Sequence, residues 1–347
     1  MIRDKKTQKL QTVLSYIWLT FIVCISVFPI LWMFDSSLKG TSEIFTSPPT
    51  FFIKHPSLEN YRRVLFSSGI PRAFLNSKEL IQSLEEKARI LRRDVIISIG
   101  VGVAGHIGGS NSSADLVTAL YFYKMKYDPK NPHRKDRDRF LLSKGHVAIL
   151  QYAALAEAGF FPVEDLRRTK EIGFYLQGHP DVLKTPGIEA GTGSLGQGLS
   201  IGLGMALGMK ADGIDRKVYV LLGDGELAEG QVWEAAMAAA SYEVDNLVAI
   251  VDRNRLQANG FVAERLNSNP LNAKWESFGW HVIEIDGHNM EQILTALDAA
   301  DQINGKPTVI IANTVKGKGV SFAENVVGCH NCALTEEQYA QALRELQ

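Results

Sequence analysis

The sequence predicts an α/β fold, a doubly wound parallel sheet with helices on both faces, preceded by a single transmembrane helix. Three observations carry this. Short apolar runs recur between Arg139 and Ala312, each bounded by turn or polar residues. Helical stretches separate most of them, and strands that alternate with helices imply a parallel sheet covered on both sides. Ahead of this pattern stand 25 residues without a charge, Leu10–Phe34. The whole chain has 347 residues, enough for one large or two ordinary domains.

Taken in chain order, Leu10–Phe34 comes first. It is long enough to cross a bilayer. Arg3, Lys5, Lys6 and Lys9 precede it and place the N-terminus in the cytoplasm by the positive-inside rule. A signal peptide is disfavoured, because no small-residue cleavage site follows the run. A buried core helix is disfavoured because the run is apolar on all faces. From Lys78, KELIQSLEEKARILRRDVI spaces its apolar residues for an amphipathic helix, with Ser77 as its N-cap. Asp115–Tyr123 reads as a further helix. Arg139–Leu142, Val218–Leu222, Leu247–Val251, Val282–Ile285 and Thr308–Ala312 read as short buried strands.

The strongest chemical signal lies in Val218–Asn254. One apolar run ends at Gly223-Asp224-Gly225, and a helical stretch leads to a second run ending at Asp252-Arg253-Asn254. In an open α/β sheet, ligands bind beyond the carboxyl ends of the strands. Two hard oxygen ligands and a glycine converge there, a set suited to Mg²⁺, which keeps substrate phosphates among its ligands. The pattern therefore points to a diphosphate held through magnesium.

These residues resemble the thiamine diphosphate enzymes, and the flanking motifs narrow the resemblance to transketolase, in its split form, N-terminal subunit. The resemblance runs from about Lys78 to the C-terminus. It rests on GHIGGS at Gly105–Ser110, LSKGH at Leu142–His146, QGHPD at Gln177–Asp181, GTGSLGQG at Gly191–Gly198, GDGELAEGQVWEA at Gly223–Ala235, DRNRLQ at Asp252–Gln257 and TVKGKGVSF at Thr314–Phe322. It implies a diphosphate-type domain with thiamine diphosphate and Mg²⁺, or Ca²⁺ or Mn²⁺, as cofactors. Asp224, Asn254 and the backbone carbonyl of Leu256 become the metal ligands. Gly225 lets backbone approach the diphosphate without a Cβ clash. His106, His179 and His330 become catalytic, and His146, Gly193, Leu195 and Lys316 bind the cofactor with Gly225 and Asn254. Taken singly, a Gly-His pair reads as a turn, and Lys316 reads almost equally as a surface lysine. The family has His-Gly after an aromatic residue where this chain has Cys329-His330-Asn331. Glu229 and Glu234, five apart on the helix expected after Gly-Asp-Gly, read by default as surface ion-pair residues; the resemblance puts them at a subunit interface, linking two cofactor sites. His288, in IDGHN beyond a strand, reads as structural.

The implied activity is transfer of a two-carbon ketol unit from a ketose phosphate to an aldose phosphate. The resemblance puts the residues that grip the substrate phosphate, and a glutamate facing the aminopyrimidine ring, in another domain. The chain is therefore expected to need a C-terminal transketolase subunit, in an α₂β₂ assembly, and to be inactive alone. A dehydrogenase or a deoxyxylulose phosphate synthase shares the metal motif and is the alternative; GTGSLGQG and QGHPD favour transketolase.

Context decides the other motifs. Gly191–Gly196 satisfies GxGxxG, but KTPGIEA before it is no strand, so a dinucleotide site is not expected. Gly198 and Gly202 share a helical face and read as close packing. Cys24, Cys329 and Cys332 are the only cysteines, which fits a reducing compartment, and Cys329–Cys332 reads as two free thiols beside His330. Net charge is −1, so no global basic field recruits nucleic acid.

Met1–Ser77 carries a second resemblance. FPILWMFDSSLKGTSEIF and PSLENYRRVLFSSGIPRAFLNS are similar to the start of a sugar ABC-transporter permease. One span conducts nothing, so transport is not expected. With the N-terminus inside, one span would put residues 78–347 outside the cytoplasm, where sugar phosphates are not found. The expectation is two pieces, 1–77 and 78–347, joined from neighbouring genes, with the enzyme part cytoplasmic and a single-pass membrane segment only if residues 1–77 are expressed with it.

Overall fold

The computed structural model describes residues 5–39, 53, 56–62 and 70–347. The chain divides into two compact units, Met1–Leu80 and Ile81–Gln347.

In the first unit, α1 spans Lys5–Ser37. Its stretch Thr12–Ser37 is long and apolar enough to cross a membrane, with a mean hydropathy of 2.3, and none of it is buried. The helical turn Glu59–Arg62 caps its carboxyl end: Asn60 Nδ2 donates to Ser37 O at 3.1 Å and Lys39 O at 2.8 Å. These bonds satisfy carbonyls that a helix end leaves unpaired. Most of residues 40–69, on which the expected similarity to a permease partly rests, lies outside the described residues.

The second unit is built on five parallel strands: β1 (Arg139–Leu142), β2 (Val218–Gly223), β3 (Leu247–Arg253), β4 (His281–Asp286) and β5 (Thr308–Asn313). Their spatial order is β1-β2-β3-β5-β4. All five predicted strands form, each at the expected place. Successive residues face opposite sides of the sheet, and here both sides are apolar. Phe140, Leu142, Tyr219, Leu221, Val248, Ile250 and Ile310 enter one core. Leu141, Val218, Val220, Leu222, Ala249, Val251 and Ile311 enter the other. This is why the strands read as unbroken apolar runs.

Helices complete both layers. The first core is closed by α2 (Ile70–Ile99, whose residues from Ile81 onward belong to this unit), α3 (Ile107–Ser112), α4 (Ala114–Ala119), α5 (Ala148–Glu157) and α6 (Met290–Ala300). The second is closed by α7 (Gln197–Ala211), α8 (Gly230–Ser241) and α9 (Leu271–Ser277). The C-terminal α10, Glu336–Glu345, carries a capping box of Thr335 and Gln338. Ser77 is not an N-cap, because the helix begins at Ile70; Pro71 sits in its first turn, where its missing N–H is not needed. The predicted Asp115–Tyr123 helix is α4 continued by a π-helical turn, Leu120–Lys124.

Close packing through glycine is realised on α7. A Cβ on Gly198 would lie 2.5 Å from Ser143 Cβ, and one on Gly202 would lie 2.5 Å from Val220 Cγ2. The helix therefore rests directly on β2 and on the turn after β1. No strand precedes α7 between Gln177 and Gly196, so the glycines of GTGSLG are not a strand-to-helix dinucleotide turn.

Candidate active site

Parallel strands bring all their carboxyl ends to one edge, and the candidate residues meet there. Gly223 at the end of β2 is in register with Asp252 on β3, and Asp252 with Ala312 on β5. Beyond these ends lies a cavity of about 480 Å³. His106, His146, Gly193, Leu195, Asp224, Gly225, Asn254, Leu256, Lys316 and His330 all line it.

Asp224 follows β2 directly and is buried. Its Oδ1 accepts from Gly225 N at 2.8 Å and its Oδ2 from Arg255 N at 2.5 Å. Burial, then the Asp252 charge, raise its carboxyl to about 6. Arg255 sits in left-handed backbone, φ 67°. That conformation costs a non-glycine residue energy, and here it aims the Arg255 N–H at Asp224. Asn254 Nδ2 donates to Asp252 Oδ2 at 2.9 Å, which fixes the amide so that Oδ1 faces the other way, accepting from Leu256 N at 3.1 Å.

Beneath these residues is a buried network. Lys144 Nζ bonds Asp252 Oδ2 at 2.6 Å, Ser113 Oγ at 2.7 Å and Gly109 O at 3.2 Å. Asp252 also accepts from Ser112 Oγ at 2.6 Å and from Thr314 Oγ1. Burial opposes its ionisation, but the Lys144 ammonium and these bonds outweigh burial and hold the carboxyl below its ordinary range. One carboxylate thus ties β3 to the loops after β1 and β5 and orients Asn254. Glu226 is a second buried brace: it accepts from Ser143 Oγ at 2.5 Å, Gly196 N at 2.8 Å and Gly223 N at 2.9 Å.

Three imidazoles stand together. Ring centres are 5.0 Å apart for His106 and His146, 5.4 Å for His106 and His330, and 5.2 Å for His146 and His330. Burial first, then neighbouring cations, push His106 and His330 down to about 4 and His146 down to about 2. All three are neutral at physiological pH, each with one donor and one acceptor nitrogen. Lys316 is no surface lysine: it is 1% exposed, and its Nζ donates to Leu256 O at 2.8 Å and to His330 Nδ1 at 2.9 Å. With Nδ1 accepting, the His330 proton resides on Nε2. Burial lowers Lys316 to about 8.

The remaining predicted residues lie outside the cavity lining. His179 stands against Gly193, whose Cβ, at φ 148°, would meet His179 Cδ2 at 2.6 Å. Glu229 and Glu234 are both exposed. They do not share the helix: a 3₁₀ turn, Gly225–Ala228, intervenes, and Glu229 is the extended N-cap of α8. His288 is structural as expected. Its Nε2 accepts from Val315 N at 2.8 Å, so Nδ1 carries the proton and donates to Asp115 Oδ2 at 2.7 Å. Cys329 and Cys332 are free thiols on either side of His330.

Lys144, Asp252 and Glu226 escape a reading of the sequence for ligands, although each stands inside one of the motifs above. Their signal is a charged residue at or just past the end of an apolar strand.

The chain matches the model of the family "Transketolase, thiamine diphosphate binding domain" over residues 81–346. It is 46% identical over 264 residues to the 6-deoxy-6-sulfo-D-fructose transketolase subunit SqwG of Clostridium sp. (strain MSTE9), covering 76% of this chain and 96% of that one. It is 44% identical over 266 residues to one of the subunits of the apulose-4-phosphate transketolase of Phocaeicola vulgatus, covering 77% and 94%. The transketolase of Campylobacter jejuni superposes with a TM-score of 0.70 at 32% identity, covering 77% of this chain and 43% of the longer protein. From Ile81 onward, then, the chain is a thiamine diphosphate binding domain, and it belongs to the transketolase family.

Proposed function

We propose that this chain is the cofactor-binding subunit of a split transketolase that moves a two-carbon ketol unit from a ketose to an aldose, and that it acts only with a C-terminal partner subunit. The observation that carries this is the convergence of Asp224, Asn254, Leu256, Lys316 and three neutral imidazoles on one cavity. The partner requirement follows from relatives that are themselves named as subunits and are spanned almost end to end.

The residues present fit a diphosphate held through a divalent cation. Asp224 and Asn254 offer hard oxygen donors, and the Leu256 carbonyl already accepts from a cation, the Lys316 ammonium. These three would hold Mg²⁺, or Ca²⁺ or Mn²⁺ in its place. Thiamine diphosphate supplies the carbanion chemistry for breaking and forming the carbon–carbon bond. The chain's part is orientation and proton handling. Neutral His106, His146 and His330 offer N–H donors to diphosphate and substrate oxygens without bringing net charge. His179 extends the set toward the substrate side. Each neutral ring can also take a proton from a substrate hydroxyl and return it. Glu229, the exposed N-cap of α8, and Glu234, exposed on the helix itself, face the partner.

The substrates are ketoses with an anionic terminus, since the named relatives act on a sulfo-sugar and a sugar phosphate. The enzyme part, from about Lys78, is cytoplasmic and residues 1–77 are foreign to it; a single-pass membrane segment belongs to the protein only if residues 1–77 are expressed with it.

Calorimetry tests the site. Thiamine diphosphate with Mg²⁺ should bind the full chain, EDTA should abolish binding, and Asp224→Asn should weaken it by at least roughly tenfold, the ordinary cost of losing a metal ligand or its support. Undiminished binding by Asp224→Asn refutes the assignment. Ketol transfer should appear only once the C-terminal partner is added; turnover by the chain alone removes the partner requirement.

A further inference from the structure

Lys170 belongs to none of the sequence motifs, and it does not line the cavity. Its backbone is left-handed, φ 70°. A lysine rarely adopts that conformation, so the surrounding structure imposes it. Two bonds hold it there. Its N–H donates to Leu176 O at 2.7 Å, closing a tight loop just before the Gln177–Asp181 segment. Its Nζ crosses to Ala104 O, in the strand pairing of Ala104–Gly105 with Cys332–Ala333. The aliphatic stem passes over Gly178, with Cε 3.9 Å from that residue's Cβ position.

The two ends of this tether are next to functional groups. Ala104 lies two residues before His106, and Gly178 adjoins His179. Lys170 thus joins the loop that carries one imidazole to the strand that leads to the other. After burial, its ammonium is the largest influence on His106, ahead of that of Lys316.

We propose that Lys170 is a positioning residue of this site: its side chain fastens the His179 loop to the backbone ahead of His106, and so fixes both rings and holds a positive charge near His106. This rests on the transketolase reading for its meaning in the reaction, but the tether stands on its own geometry. It assigns Lys170 two separable tasks, a hydrogen bond to Ala104 and a charge beside His106. Arginine can do both, glutamine only the first, and methionine neither.

The test is imidazole NMR on the full chain labelled at histidine, with His106→Gln and His179→Gln used to assign the resonances. Lys170→Met should raise the proton affinity of His106 by about tenfold, the effect of removing one close cation at partly screened range, and should shift the His179 ring signals. Lys170→Arg should restore both. Lys170→Gln should keep the His179 signals and still raise the His106 proton affinity. If Lys170→Met fails to fold, judged by far-ultraviolet circular dichroism, the Arg and Gln variants decide between them. A His106 titration unchanged in Lys170→Gln, or one that Lys170→Arg fails to restore, overturns the proposal. Thiamine diphosphate binding is measured on the same unaltered chain: its absence would sink the functional reading and leave the Lys170 result standing.

Discussion

Replacing Lys144 by methionine tests the buried network under the cavity most directly. The Lys144 and Asp252 side chains are 3% and 0% exposed, with nitrogen and oxygen 2.6 Å apart. Removing one partner of such a pair strands the other charge and costs about 3–5 kcal/mol. Asp252 keeps its donors from Ser112, Asn254 and Thr314, so the lower end, about 3 kcal/mol, is expected. For a unit of this size each kcal/mol is roughly 2–4 °C of melting temperature, so Tm should fall by about 10 °C. Urea unfolding followed by the emission of Trp233, Trp275 and Trp280, clustered on one face of the sheet, reads the loss.

The sign with pH adds a check. Wild-type Asp252 is held below the ordinary 3.8, so its contribution is present above that value and is lost only as pH falls beneath it. Without Lys144 the buried carboxyl is pushed up, and protonation relieves it. The deficit of the variant should therefore narrow as pH falls from about 8 to about 5. Lys144→Met combined with Asp252→Asn removes both charges and should recover all but about 1 kcal/mol. A single variant within about 1 kcal/mol of wild type, or a double variant as unstable as the single, would refute the claim that the pair holds this edge together.

Two further predictions concern packing and pH. Gly202→Ala should destabilise by about 1–3 kcal/mol through overpacking against Val220, whereas Gly208→Ala, with nothing within 4 Å of its Cβ, should stabilise α7 by about 0.5–1 kcal/mol; chemical denaturation of both separates contact from propensity. Asp94 is 2% exposed, with Oδ2 unpartnered, and burial followed by the charge of Glu157 raises its carboxyl to about 7. A raised carboxyl favours folding below its unfolded value and loses that contribution as pH rises from about 3.8 to about 7. Asp94→Asn should therefore be more stable than wild type at pH near 8, by on the order of 1–3 kcal/mol, and the gain should vanish near pH 4; a constant difference across that range would contradict the assignment.

How much was legible beforehand varies by residue. Asp224 and Asn254 were readable because each stands at the end of an apolar run, and in a parallel sheet all such ends share one edge. The two-sided burial of the strands was readable for the same reason, from runs without polar alternation. His288 was readable as structural only because no motif claimed it; its clamp between Asp115 and Val315 came from the fold. Lys316 was ambiguous, since a lysine next to glycine reads as surface until the Leu256 and His330 loops are seen to cover it. Helix ends fared worst. Ser77 looked like a cap because of its residue type, yet the helix starts earlier, at Ile70; Glu229 looked helical, yet a 3₁₀ turn displaces it.

The sequence by itself determined the strand positions, the α/β class, the edge at which the candidate residues gather and which of them have oxygen to offer there. Those properties are local: they depend on hydrophobic period, on residue chemistry and on spacing along the chain. Only the tertiary structure decided which groups brace them. Lys144 meets Asp252 across 108 positions, and Ser112 meets it across 140. Proton positions on His330 and His288 were likewise decided there, because a tautomer is set by whichever partner folding brings to the other nitrogen.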